Sequence, residues 1–166
     1  MPVEFTTSYL KDSLAVFRQY KKLGEDAIAQ VSDSELTAVL DGEMNSIALV
    51  MKHMAGNMRS RWTDFLTTDG EKPDRRRDTE FVEPPATREA LMALWEDGWS
   101  RLWSAVEPLR DEDLSRTVTI RGEPHSVMQA IQRNITHCAY HVGQIVMLAK
   151  HFRSEQWRSL SVPRKK

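Results

Sequence analysis

Two histidines stand four residues apart in "ITHCAYHVGQI", the stretch from Ile135 to Ile145. On a helix, such positions are neighbours with Cβ atoms ~5–6 Å apart. His137 and His141 can therefore direct two imidazole nitrogens at one ion, at the ~2.0–2.1 Å of a zinc–nitrogen bond. The same spacing also serves plain packing, so a third ligand has to be found. His53 lies inside "SIALVMKHMAGNM", the most apolar part of an earlier helical stretch, next to the small Ala55 and Gly56 that would admit a close neighbour. A histidine there is either a satisfied core residue or the third ligand. His125 precedes the last helical stretch and reads as an exposed or capping residue. His151 lies more than two turns beyond His141, out of reach of the same ion. Cys138 points about 100° around the helix from His137 and is not placed to join it.

Other chemistries fit less well. The pair is not His-Glu-x-x-His, because Cys138 stands where the Glu would be. There is no glycine-rich phosphate loop, no Glu-x-x-His pair of a di-iron bundle and no nucleophile-elbow serine. Five tryptophans fit a rich core or a lined pocket, and Trp95, Trp99 and Trp103, four residues apart, read as core or dimer face.

The elements that must position these residues are helices. Apolar residues recur at helical spacing over residues 7–31, 46–66, 87–109 and 127–152. Thr87 follows Pro84 and Pro85 as an N-cap, and Ser126 with Gln129 has the spacing of a capping box. "RTVTIRGEP" alternates briefly and then turns, which predicts one arm of a short hairpin before the last helix. Residues 67–86 are polar and proline-broken, long for a bundle connection. "GEMNSI" at 42–47 echoes "GEPHSV" at 122–127, and each follows an acidic turn, "SDSEL" or "RDEDL". The chain thus reads as two helix–turn–helix halves. The expected fold is all-α: one domain over residues 1–166, an up-down-up-down four-helix bundle whose second and fourth long helices run the same way. If the echoes mark equal helix starts, His53 falls one turn short of His137, and the helices must slide by about 6 Å to bring them level.

Composition narrows the function. The chain has 166 residues, 40% of them hydrophobic, and a formal net charge of -1, which argues against nucleic-acid or membrane-surface binding. No apolar run approaches the ~20 residues of a membrane span. The single cysteine excludes an intrachain disulfide, and the polar opening residues lack a signal core. A cytoplasmic protein is expected. Arg75, Arg76 and Arg77 read as a solvated loop.

A histidine in the second long helix followed by "HxxxHxGQI" in the fourth resembles the DinB-like superfamily of metal-binding bundles. The phrases "SIALVMKHMAGNMRSRWTDFLTTDGEKP", "VTIRGEPHSVMQAI", "THCAYHVGQIVMLAKH" and "WRSLSVPR" are similar to one bacterial branch of it, so the likeness spans nearly the whole chain. The resemblance implies a divalent metal, zinc or nickel, on His53, His137 and His141. It implies a low-molecular-weight thiol such as bacillithiol or mycothiol as co-substrate, in a thiol S-transferase or isomerase, and a homodimer. Asn57 and Gln144 are then candidates to orient bound water or thiol, and Arg61 and Arg133 to receive an anionic thiol. The alternative is a non-enzymatic bundle whose metal is structural or senses a ligand.

Overall fold

Each long helix starts where a hydroxyl can serve a free backbone N–H. Ser8, Ser46, Thr87 and Ser126 accept from the residue three positions on, opening α1 (Tyr9–Ile28), α3 (Ile47–Trp62), α4 (Arg88–Val106) and α5 (Val127–Arg153). Ser32 and Glu35 form a full capping box on the short α2 (Asp33–Thr37), and Ser126 with Gln129 forms another on α5. In this computed structural model the described residues are 6–162; residues 1–5 of the polar opening stretch and 163–166, the first two of which close "WRSLSVPR", lie outside them.

The expected hairpin is present as β1 (Thr117–Ile120) and β2 (Glu123–Ser126), antiparallel and turned at Arg121 and Gly122. Both turn residues have positive φ, 56° and 78°, as a two-residue hairpin turn requires. The two acidic turns differ: "SDSEL" contains α2, whereas "RDEDL" becomes a 3₁₀ turn, Asp111–Ser115.

The four long helices form the bundle, but their directions do not alternate. Tyr9 at the start of α1 donates to the Met128 carbonyl at the start of α5, and Gln30 beyond the end of α1 meets Arg158 beyond the end of α5. Those two helices are parallel. Arg18 pairs with Glu107, Lys21 with Glu96, and Arg88 caps the Ile28 carbonyl, so α1 and α4 are antiparallel. Gly98 lies on Ala55, and Trp62 shares a cleft with Ser104 and Ala105, so α3 and α4 run together. His53 meets His137 and Trp62 meets Asn134, so α3 and α5 are antiparallel. The order is up-down-down-up, which corrects the alternating order and the parallel second and fourth helices.

This order explains the long connection. Residues 63–87 leave the far end of α3 and must return to its near end before α4 starts, about 24 Å for a helix of 16 residues. The return path is hydrogen-bonded along α3. Ser60 donates to the Gly70 carbonyl and accepts from Lys72 N–H; Lys52 donates to the carbonyls of Thr79, Val82 and Glu83. Asp69 accepts from the N–H groups of Arg121 and Gly122, pinning the hairpin turn to this crossover. With α3 and α5 antiparallel, the expected one-turn offset between histidine levels does not arise.

The core fills the space between the helices. Trp95 and Trp99 are fully buried and Phe17 stands edge-on to Trp99 and Trp103, so the tryptophan row is core against α1. A Cβ on Gly98 would lie 2.8 Å from the Ala55 Cα and 3.3 Å from its carbonyl oxygen. Backbone cannot step aside as a flexible side chain can. Gly98→Ala should destabilise by about 1–2 kcal/mol net, overpacking outweighing the gain in helix propensity. Urea denaturation measures this, and an unchanged or raised midpoint would show that α3 and α4 separate freely. No helix among the described residues is long and apolar enough to cross a membrane.

Candidate metal centre

The antiparallel contact of α3 and α5 brings the three histidines together. His53 comes from α3; His137 and His141 come from successive turns of α5. His53 Nε2 lies 3.2 Å from His137 Nε2, and one ligand atom from each of the three lies within 4.8 Å of the others. Two nitrogens each ~2.0–2.1 Å from a tetrahedral ion are about 3.4 Å apart. His53 is buried, stacked on the Phe81 ring at 4.6 Å, while His137 and His141 are half-buried.

Partners on the other ring nitrogens orient two of the rings. His53 Nδ1 lies 2.8 Å from Glu80 Oε2, and His141 Nδ1 lies 2.7 Å from Gln144 Oε1. Both acceptors take the Nδ1 proton, which leaves each Nε2 as a lone pair. Burial, then the neighbouring histidines, pushes the His137 pKa down to about 3, so its ring is neutral. Burial also lowers His141, against the hydrogen bond that it donates to Gln144. Three imidazoles crowded around one point suit a divalent cation, which would relieve the repulsion of facing lone pairs. His137 Nδ1 is buried and has no hydrogen-bond partner among the described residues.

Glu80 is held as firmly as it holds. Arg75 Nε and Nη2 each lie 2.8 Å from its carboxylate oxygens, and Arg75 also pairs with Glu71 at 3.1 Å. Burial pushes the Glu80 carboxyl up, but His53 and Arg75 outweigh it and the net shift is downward. The Arg75 side chain is 4% exposed, which corrects the reading of Arg75 as a solvated loop residue; Arg76 and Arg77 remain exposed. Gly56 faces this crossover rather than a helix, since a Cβ there would run into the Glu80 carboxylate.

A pocket of about 570 Å³ opens over the triad, lined by all three histidines with Asn57, Arg61, Arg133 and Gln144. Each sequence-derived candidate therefore lies at this pocket. Gln144 differs in role: its carbonyl oxygen is taken by His141, so it orients a ring. Asn57 accepts from Asn134 Nδ2 at 3.2 Å, and Asn134 Oδ1 accepts from Trp62 Nε1. Arg61 is buried and Arg133 exposed. His125 is tied to the Glu123 carbonyl and His151 is exposed. Cys138 is fully buried, which pushes its thiol pKa up and keeps it out of the site. Sequence reasoning missed Glu80, Arg75, Phe81 and Arg121, all supplied by the crossover and the hairpin, where no periodicity marks them.

Fold and site together define a four-helix-bundle protein with a three-histidine cluster able to hold a metal. The chain belongs to the family described as "Protein of unknown function (DUF1572)", whose model matches residues 4–166. Among solved structures it is similar to YfiT from Bacillus subtilis, described as "a probable metal-dependent hydrolase with an unusual four-helix bundle topology". That likeness has a TM-score of 0.70 and 15% identity over 92% of each chain, and it is a likeness of fold. The fold is that of the DinB/YfiT-like bundles, in keeping with the sequence resemblance. No curated protein matches the chain in sequence.

Proposed function

We propose that this protein is a metal-dependent thiol S-transferase using a low-molecular-weight thiol, with zinc or nickel on His53, His137 and His141. The observation that carries the reading is the triad itself: three imidazoles converging under an open pocket. A divalent ion held by three histidines keeps a free coordination position, where a thiol would be held as thiolate.

The chain's own residues set up that step. Glu80 and Gln144 fix the His53 and His141 rings in the tautomer that offers Nε2. Phe81, stacked on His53, shields that ring from water. Asn57 has its carbonyl engaged by Asn134, so it offers a ligand its NH2 group. The transfer forms a sulfur–carbon bond as the leaving group departs with its electron pair, and the thiol proton goes to solvent.

Hydrolysis is the second reading, supported by the description of YfiT. Against it, among the described residues no Asp or Glu lines the pocket to relay a proton to the leaving group, and Glu80 is committed to His53 and Arg75. Such an ion would acidify bound water and bound thiol alike, but hydrolysis would also need a proton donor for its leaving group, which attack by a thiolate on a carbon bearing a good leaving group does not.

The test is thiol consumption by zinc- or nickel-loaded protein, with bacillithiol, mycothiol, glutathione or coenzyme A against a reactive electrophile. Metal-dependent loss of one thiol, abolished in His137→Ala, is expected. No turnover with any of the four, alongside ester cleavage by the same sample, would replace this reading with the hydrolase. No thiol binding, with a strong fall in melting temperature on chelation, would make the metal a structural staple.

A further inference from the structure

The pocket has a second end, built from arginine. His53, Asn57 and Arg61 follow one another at successive turns of α3, so the Arg61 Cα stands about 12 Å along the axis from that of His53. Arg133 on α5 and Arg121 at the hairpin turn line the same pocket.

Arg61 is the unusual member. It is 6% exposed, and its guanidinium lies over Gly70, where a Cβ would stand 3.0 Å from Nη1. Nη1 is buried without a hydrogen-bond partner, and the side chain enters no ion pair among the described residues. The charges acting on it are chiefly those of Arg133, Arg75 and Arg121, set against the carboxylates of Glu71 and Asp69, and Asp69 is taken up by the backbone N–H groups of Glu71, Arg121 and Gly122. Glu71 is already paired with Arg75 at 3.1 Å and with Arg121 at 3.3 Å. Burial first, then Arg133, lowers the Arg61 pKa to about 10, which still leaves it charged at neutral pH. A buried charge lacking a counter-ion is costly unless something supplies one. Among the described residues the pocket lining holds five arginines and no carboxylate; of the five, Arg75 is committed to Glu80 and Glu71, and Arg77 lies over the Phe81 ring.

We propose that Arg61, with Arg133 and Arg121 beside it, forms an oxyanion subsite. It takes a carboxylate or phosphate group of a small ligand whose other end reaches the three histidines. Guanidinium forks suit either group, in pairs of parallel N–H···O bonds. The subsite deepens the reading of this pocket as a substrate site but does not depend on thiol transfer. It calls for a ligand long enough to join the turn of Arg61 to that of His53, whose Cα atoms stand about 12 Å apart along α3.

The experiment is isothermal titration of zinc-loaded protein with inorganic phosphate and with succinate, at constant ionic strength. The same titrations on chelator-treated protein separate anions held by arginine from anions held by the ion. Binding of at least one probe is expected, retained after chelation, and the stronger of the two identifies the source of the oxyanion. Arg133→Ala, at an exposed position, and Arg61→Lys, which keeps the charge but loses the fork, should each weaken it about tenfold. The proposal is overturned if neither probe binds, if binding disappears with the metal, or if both variants bind like the wild type. A failed thiol assay with anion binding intact removes only the transfer reading. Thiol turnover without arginine-dependent anion binding removes only this one.

Discussion

His137→Ala should take zinc or nickel content from about one ion per chain to near none, because two histidines leave too few protein ligands for a stable site. His137 is the pivot of the triad. Its Nε2 is 3.2 Å from that of His53, and its ring lies 4.4 Å from that of His141. The fold should survive, since α5 is anchored by Ile131, Cys138, Val142 and Ile145, all fully buried and untouched by the change. Melting curves give a second readout of the same claim. A ligand that binds only the folded state stabilises it by about 2.7 kcal/mol at a hundred times its dissociation constant. Added metal should therefore raise the wild-type melting temperature and leave the variant's unchanged. Elemental mass spectrometry on tag-free protein is the primary measurement. A wild type that takes up neither zinc nor nickel would reduce the three histidines to a packing cluster.

Glu80→Ala should damage both metal binding and stability. His53 loses the acceptor that fixes its tautomer, and loss of such a carboxylate typically lowers metal affinity about 10–100-fold. Arg75 loses the carboxylate that both its Nε and Nη2 contact, while its side chain stays 4% exposed. Breaking a buried pair from one side costs about 3–5 kcal/mol. Glu71 still holds Arg75 at 3.1 Å, which places the expected loss at the lower end of that range. Glu80→Gln separates the two effects. It keeps an oxygen for the His53 N–H but removes the charge facing Arg75, so metal affinity should fall less than in the alanine variant while stability still drops. Competition with a chromogenic chelator measures the first and urea unfolding the second. Wild-type affinity in Glu80→Ala would mean that Phe81 and the surrounding packing hold the His53 ring without help.

Much of the site is legible along the chain because its determinants are local. N-caps act three residues ahead, and helical stripes repeat each turn. That is enough to place Ser46 and Ser126 as helix starts, and His137 with His141 on one face. It also places Asn57 and Arg61 at successive turns beyond His53 on one side of the second long helix. The directions of the helices are another matter. The long connection, residues 67–86 by sequence, showed its length but not its destination, and an even alternation of four helices was the simplest reading of it. The crossover is decided by contacts between residues far apart: Ser60 with Gly70 and Lys72, Lys52 with three carbonyls, and Asp69 with the hairpin turn.

The arginines show the same divide. Arg75 stands in a polar, proline-flanked run that looks solvated by composition. It is buried because the crossover folds back onto α3 and lays Glu80 against His53, 27 residues away in sequence. Arg61 sits at a polar position of its helix, yet the crossover at Gly70 lies against it and it is buried. By itself the sequence determined the chemical kind of the site, through three imidazoles with two of them locked in phase by helix geometry, and the number and extent of the long helices. Only the tertiary structure decided which helices run together, which carboxylate orients His53 and which arginine is left with an unmet charge. Helical phase is set within a few residues by backbone geometry. Those other choices depend on burial between distant segments that carry no periodic mark.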